Sequence, residues 1–196
     1  MAGCSKSIFY RLMNLRLGTP QVGVLRRETL DSAKGNVLEI GFGSGLNLPH
    51  YPENVKEITA IDPTPAWSGQ TGNLTNLSIF KMSAETMDFP DQQFDTVVCT
   101  FTLCSISKPA AALVEIKRVL KPGGRLLFIE HGKSSNVIIV ALQHLTNPLY
   151  RWIAFGCNVN RDMVKLLTEN GFRIEKLKIV HTRYPISGVY YCGVAV

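Results

Sequence analysis

Apolar residues along this chain gather in short runs rather than long stripes. Stretches such as Thr96-Val97-Val98-Cys99 and Leu126-Leu127-Phe128-Ile129 put apolar groups on both sides of a pleat. That is the pattern of strands covered on both faces, as in a parallel sheet between helices. Strands are expected over 36–40, 57–61, 77–81, 94–99, 124–130, 172–180 and 189–196. Residues 109–120 read as a helix: Pro109 stands near its start, and Leu113, Ile116, Val119 and Leu120 form an apolar stripe. Lys121-Pro122-Gly123-Gly124 then stops it. A second helix is expected over 160–170, with Met163, Leu166 and Leu167 on one face and Gly171 as breaker. Only the turn around 182–188 separates the last two strands, too little chain for a parallel crossover, so that pair should be antiparallel. The expectation is one α/β domain: a seven-stranded, mostly parallel sheet ending in an antiparallel hairpin. A length of 196 residues suits one core and not two comfortable ones.

Two segments stand outside this plan. Residues 5–17, continued by 21–30, interleave Ile8, Phe9, Leu12, Met13 and Leu15 with Lys6, Arg11 and Arg16. The second segment, 136–156, is apolar and aromatic, with Tyr150, Trp152 and Phe155. Such extras usually cover the carboxyl ends of the strands, where open α/β sheets bind ligands. Three readings of the basic N-terminal stretch stay open. It is a lid with Tyr10 near the site, a surface resting on anionic membrane, or a packing helix with solvated bases. The expected division is therefore 1–34 as an N-terminal helical lid and 35–196 as the main domain, with 134–160 as an apolar cap insertion.

Chemistry first becomes visible at Val37-Leu38-Glu39-Ile40-Gly41-Phe42-Gly43-Ser44-Gly45, where a strand runs into three alternating glycines. Glycine lets backbone approach a ligand with no side chain between. The dinucleotide spacing G-x-G-x-x-G is not met, since Leu46 stands where its third glycine would be. Asp62 closes the next strand, where a carboxylate can accept from both hydroxyls of a ribose. Glu39 beside the loop is awkward for a pyrophosphate and suits a ligand carrying an ammonium and a sulfonium. S-adenosylmethionine is thus favoured over NAD or ATP.

Charge sharpens that picture. The net charge of +6 first suggests a nucleic-acid binder. Residues 1–34, however, hold six bases and two acids, residues 35–107 two bases and eight acids, and residues 108–196 thirteen bases and five acids. The acidic block carries Glu39, Asp62 and Glu85, so a nucleic-acid coat is not expected. Five scattered cysteines without a C-x-x-C pair argue against a disulfide framework and for a reducing compartment, cytoplasmic or peripheral to a membrane. No apolar run reaches membrane-spanning length, and the N-terminal bases lack the apolar stretch of a cleaved signal.

With these motifs in place the sequence resembles the class I S-adenosylmethionine-dependent methyltransferases over residues 36–196. The carriers are the Glu39-x-Gly41-x-Gly43-x-Gly45 loop and Asp62 in the ribose position. Met82-Ser83-Ala84-Glu85 followed by Met87-Asp88-Phe89-Pro90-Asp91 resembles the adenine-flanking motif, and Arg118-Val119-Leu120-Lys121-Pro122-Gly123-Gly124 the turn into the fifth strand. Within the class it is similar to the quinone-biosynthesis and phospholipid methyltransferases, and to small membrane-associated thiol methyltransferase-like proteins. That likeness rests on Leu103-Cys104-Ser105, Ile129-Glu130-His131 and Gly156-Cys157-Asn158-x-Asn160-Arg161. Two departures stand out: Ser83 replaces the usual acid, and the segment from Asp62 to Leu77 is short for the family's helix.

The resemblance implies a Rossmann-like domain binding S-adenosylmethionine, with S-adenosylhomocysteine as product. Its contacts would be Glu39, Gly41, Phe42, Gly43, Gly45, Asp62, Pro63, Ser83, Ala84, Glu85, Thr100 and Phe101. The acceptor side would hold Tyr10, Cys104, His144, Trp152 and Cys157. His131, following the fifth strand, is the candidate base, its alternative being a structural hydrogen bond beside Glu130. No pair of histidines and carboxylates has metal-ligand spacing, so no metal is expected. The expected reaction is in-line methyl transfer to a small lipophilic acceptor: a thiol, a quinone precursor or a phospholipid amine. The alternative is a non-catalytic cofactor-binding or membrane-recruited module.

Overall fold

A computed structural model describes residues 15–64 and 76–196. Seven strands form one sheet: β1 (Gly35–Ile40), β2 (Val55–Ile61), β3 (Leu77–Phe80), β4 (Phe94–Thr100), β5 (Leu120–His131), β6 (Ile174–His181) and β7 (Val189–Ala195), in the spatial order β3-β2-β1-β4-β5-β7-β6. The first five are parallel, and β7 runs antiparallel to both β5 and β6. The expected sheet and hairpin are present, with the hairpin's second strand inserted next to β5.

The apolar runs are sorted by the pleat. Leu38, Ile40, Val97, Cys99, Leu126 and Phe128 face one core, while Val37, Val98 and Leu127 face another on the opposite side. Each such side chain, fully buried, contributes roughly 1.5–3 kcal/mol. Helix α2 (Pro109–Val119) closes the first core with Ala112, Leu113, Ile116 and Val119, all fully buried. Helix α4 (Met163–Glu169), capped by the Asp162 carboxylate accepting from Lys165 N, adds Met163 and Leu167. Helix α1 (Pro20–Leu30) covers the other face, Val22 and Leu25 meeting Ile129, Tyr190 and Cys192.

Lys121-Pro122-Gly123-Gly124 ends α2 as expected, but the backbone is already strand there. Phe94 pairs with Leu120 and Thr96 with Arg125, so β5 carries a register shift beside β4. Gly124 fits because a Cβ would lie 2.9 Å from the Lys121 carbonyl oxygen.

The apolar segment expected as a cap is helix α3 (Val137–Ile153), started by Asn136, whose side chain accepts from Ile138 N and Ile139 N. Its polarity is inverted. Gln143 and Asn147 are its buried residues, whereas Val137, Ile138, Leu145, Leu149 and Trp152 are exposed. The Gln143 amide is fully buried and works as a staple. Its nitrogen donates to the carbonyls of Gly132, Val159 and Ile186, and its oxygen accepts from Ser134 N at 2.9 Å. No helix among the described residues is long and apolar enough to cross a membrane. Tyr10, most of the basic amphipathic N-terminus and the segment expected to hold a shortened helix lie outside the described residues.

Candidate functional site

The strand order reverses between β1 and β4, and there the chain leaves a cleft at the carboxyl ends of the strands. It has a volume of about 390 Å³. Of the twelve positions expected to contact a cofactor, every one except Gly45 lines it. Gly41, at φ +77°, turns the chain directly off β1, and a Cβ there would meet Thr102 Oγ1 at 2.1 Å. Only glycine fits between that loop and the end of β4.

Asp62, at the tip of β2, is buried and accepts from Gly43 N at 2.9 Å and Thr64 N at 2.7 Å. A carboxylate has further acceptor capacity, so Asp62 can fix the glycine loop and still receive hydroxyls. Ser83 Oγ accepts from Glu85 N, and Glu85 Oε1 accepts from Lys108 N at 3.0 Å, just before α2. The glutamate thus joins the cleft wall to that helix.

A residue not singled out from the sequence dominates the other end. Arg26 of α1 is 4% exposed and lines the cleft. Its Nη1 donates to Asn47 Oδ1 and to Thr100 Oγ1. Asn47 Nδ2 in turn donates to Glu39 Oε1 at 2.9 Å, and Tyr51 donates to Glu39 Oε2 at 2.7 Å. Burial pushes the Glu39 carboxyl up to about 7, against the pull of Tyr51, Asn47 and Arg26. Burial likewise lowers the Arg26 guanidinium from its ordinary value. Arg26 Nε is buried with no hydrogen-bond partner, an orphaned donor at the cleft wall. An N-terminal helix with scattered bases reads as a solvated face, which hides this residue. The signal was its place between Val22 and Thr29 on the face that α1 buries.

Phe101 lines the cleft and also packs on rings outside it. It holds a left-handed backbone, φ +56°, fixed by its N–H donating to Ile129 O, and its ring lies 5.7 Å from the Arg26 guanidinium. The His131 ring sits on its other side, 4.9 Å away, and also meets Tyr190. His131, Cys104 and Cys157 are buried together and are not part of the cleft wall. Their neighbour Ser105 lines the cleft, as do Ala154 and Phe155. His144 is exposed and bonded to Asn160 Nδ2, and Trp152, 82% exposed, points away from the interior.

The donor set fits S-adenosylmethionine. A carboxylate can meet Arg26, an ammonium Glu39, and a ribose Asp62. That fit rests on the orphaned Arg26 Nε and on the paired acids along the glycine loop.

Comparison with known proteins agrees. Residues 38–128 match a family model described as a methyltransferase domain. The chain is similar to the human thiol S-methyltransferase TMT1A, 32% identical over 80% of this chain and 66% of the relative. It is also similar to the ubiquinone/menaquinone biosynthesis C-methyltransferase UbiE of Hahella chejuensis, 42% identical over 66% of this chain and 58% of the relative. The chain therefore spans about two thirds or less of the length of these relatives. Among solved structures, the N-methyltransferase NodS of Bradyrhizobium japonicum, in complex with S-adenosylhomocysteine, shares the fold. Its TM-score is 0.67 at 19% identity, over 92% of this chain and 89% of that one.

Proposed function

We propose, because the chain belongs to the class I S-adenosylmethionine-dependent methyltransferases, that it methylates a small lipophilic acceptor, with a thiol as the best-fitting class. When bound, S-adenosylmethionine supplies an electrophilic methyl group on a sulfonium. Arg26 takes the carboxylate, Glu39 the ammonium and Asp62 the ribose hydroxyls. Holding both reactants in line is worth up to roughly 7–11 kcal/mol.

The observation that carries the acceptor class is the wall beyond Phe101. The titratable groups along the cleft are Arg26, Glu39, Asp62 and Glu85. Thr102, Ser105, Ile106, Ala154 and Phe155 also line it, a set with no titratable side chain among the described residues. An acceptor beside them ionises more readily the lower its own pKa. A thiol does so at about pH 8.5, whereas a phenol needs about pH 10. A thiolate held there would take the methyl group that the cofactor supplies, one carbon–sulfur bond forming as the other breaks, after the thiol has released its proton. A quinol or a phospholipid amine is the second reading, supported by the UbiE likeness for the first.

The outward apolar stripe of α3 supports a lipophilic source. Ile138, Leu142, Leu145, Leu149 and Trp152 stand on one helix face, and the helix leads into Ala154 and Phe155 of the cleft wall. Such a stripe suits a helix lying in a membrane interface, handing a lipid-soluble acceptor to the cleft.

The test is methyl transfer from labelled cofactor over hydrophobic thiols, quinols and phospholipid amines. Asp62→Ala serves as the binding control and is expected to weaken S-adenosylhomocysteine binding at least about tenfold. Transfer confined to quinols or amines would reject the thiol reading. Transfer to nothing, with cofactor bound, would favour a non-catalytic module. Flotation with vesicles that is unchanged by Leu145→Asp would reject the membrane reading.

A further inference from the structure

Behind Phe101, three side chains that the cleft does not use converge on one point. Cys104 Sγ comes from the loop after β4, His131 Nδ1 from the end of β5 and Cys157 Sγ from the turn after α3. The two sulfurs are 3.5 Å apart, and the nitrogen lies 3.7 Å from Cys104 and 3.6 Å from Cys157. All three residues are buried. We propose that this triad is a binding site for one divalent thiophilic cation, Zn(II), held by two thiolates and one imidazole with a fourth position left for water or an added thiol.

The triangle has the dimensions the ion requires. Zinc–sulfur bonds of about 2.3 Å and zinc–nitrogen bonds of about 2.0–2.1 Å, set at tetrahedral angles, separate two sulfurs by roughly 3.8 Å and a sulfur from a nitrogen by roughly 3.6 Å. Every side of the observed triangle lies within about 0.3 Å of these values. A disulfide would instead need the sulfurs to close to about 2.05 Å. Two sulfurs and an aromatic nitrogen also exclude calcium and magnesium, which select oxygen.

Charge favours a dication over copper(I). Two thiolates are balanced by Zn(II) and leave no net charge in a buried place, where an uncompensated charge costs several kcal/mol. The nearby ions already offset each other. The buried Glu130 carboxylate accepts from the backbone of Thr102, Leu103 and Cys104, at 2.9, 2.8 and 3.0 Å. The Arg161 guanidinium donates to the Leu103 and Ile106 carbonyls on the same loop.

An outer layer fixes the ligands, as metal sites require. Glu130 pins the Cys104 loop. Asn158 donates from its backbone and its side chain to the Cys104 carbonyl, at 2.9 and 3.1 Å, tying the two cysteine segments together. Gly156, at φ +92°, makes that approach feasible, since a Cβ there would lie 2.8 Å from the Ser105 carbonyl oxygen. Spacing does not expose the site, because its ligands are 26, 27 and 53 residues apart.

The test is metal content and coordination, independent of which acceptor is used. The wild-type chain, purified under reducing conditions and equilibrated with Zn(II), is expected to retain one equivalent after gel filtration. Replacement by Co(II) should give thiolate-to-cobalt charge transfer and the visible bands of tetrahedral cobalt. Cys104→Ser and Cys157→Ser should each weaken retention by more than the roughly 10–100-fold that losing an outer partner costs. Cys192→Ser, outside the triad, should leave it unchanged. S-adenosylhomocysteine calorimetry on the same samples reports whether each variant is folded. The proposal is overturned if wild type retains no zinc and shows no charge-transfer band, whatever the variants do. It is equally overturned if retention is the same in all variants, or if freshly reduced protein takes up copper(I) and not Zn(II).

Discussion

Arg26 Nη1 donates to Thr100 Oγ1 at 3.0 Å, tying a helix that precedes the sheet to the tip of the strand beside the glycine loop. The α1 segment is therefore part of the cleft wall, and its arginine is the one cation among the residues described as lining it. Arg26→Met is expected to weaken S-adenosylhomocysteine binding about 10–100-fold, the range of a lost charge-assisted contact. Thermal stability should fall as well, because Glu39 and Asn47 lose their buried counterpart. Calorimetry and a melting curve on the same sample separate the two effects, and undiminished affinity would remove Arg26 from the site.

The raised Glu39 carboxyl gives the protein a pH signature. Between the ordinary carboxylate value of 4.5 and about 7, the native state holds a proton that the unfolded chain has released. The contribution of Glu39 to stability therefore falls as pH rises through that window and is level above it. Cofactor affinity moves the other way. The ammonium partner needs an ionised Glu39, so binding should tighten as pH rises toward about 7. Urea unfolding and S-adenosylhomocysteine titration across that range check both, and Glu39→Gln should flatten each profile.

Gly41 cannot accept a side chain. A Cβ would reach both Oγ1 and Cγ2 of Thr102, on a backbone at φ +77°. Gly41→Ala should cost more than the roughly 1–2 kcal/mol that a left-handed conformation alone imposes. Adding Thr102→Ala should recover part of the loss, because it removes the two closest contacts and leaves the Thr102 Cβ at 2.9 Å and the backbone strain. Denaturant midpoints of the two variants decide.

Gln143 should matter more to folding than any exposed apolar residue of the same helix. Gln143→Ala leaves three carbonyls and the Ser134 N–H without their partner and should destabilise by at least about 3 kcal/mol. Leu145→Asp, on the 77% exposed face, should change stability by less than about 0.5 kcal/mol. Parallel urea titrations test the contrast.

These contrasts show what could be read from the chain. The strands were legible because Val97-Val98-Cys99 and Leu126-Leu127-Phe128 feed two cores by simple alternation. The glycine loop, Asp62 and the terminal hairpin followed from spacing and turn chemistry. The inverted helix α3 was visible only as an apolar stretch, since composition does not say that Gln143 and Asn147 face inward while the leucines face out. Arg26 was hidden for a related reason: a base on an amphipathic helix is ordinarily solvated, and only the tertiary contact with Asn47 and Thr100 makes it a cleft residue. Cys104, His131 and Cys157 each stand in a short motif of the sequence, but their convergence joins three distant elements and has no linear signature.

The position of Phe101 has a consequence for the protein's own survival. An activated methyl group is indiscriminate toward sulfur, and Cys104 and Cys157 meet the His131 nitrogen, whose ring packs on Phe101 of the cleft wall. Phe101, locked by its bond to Ile129 and braced by His131 and Tyr190, lines the cleft, while both cysteines are buried outside its lining. A methyl group held in the cleft would therefore face no cysteine among the residues described as lining it. A change that brought either sulfur into the cleft would make the protein a target for its own cofactor.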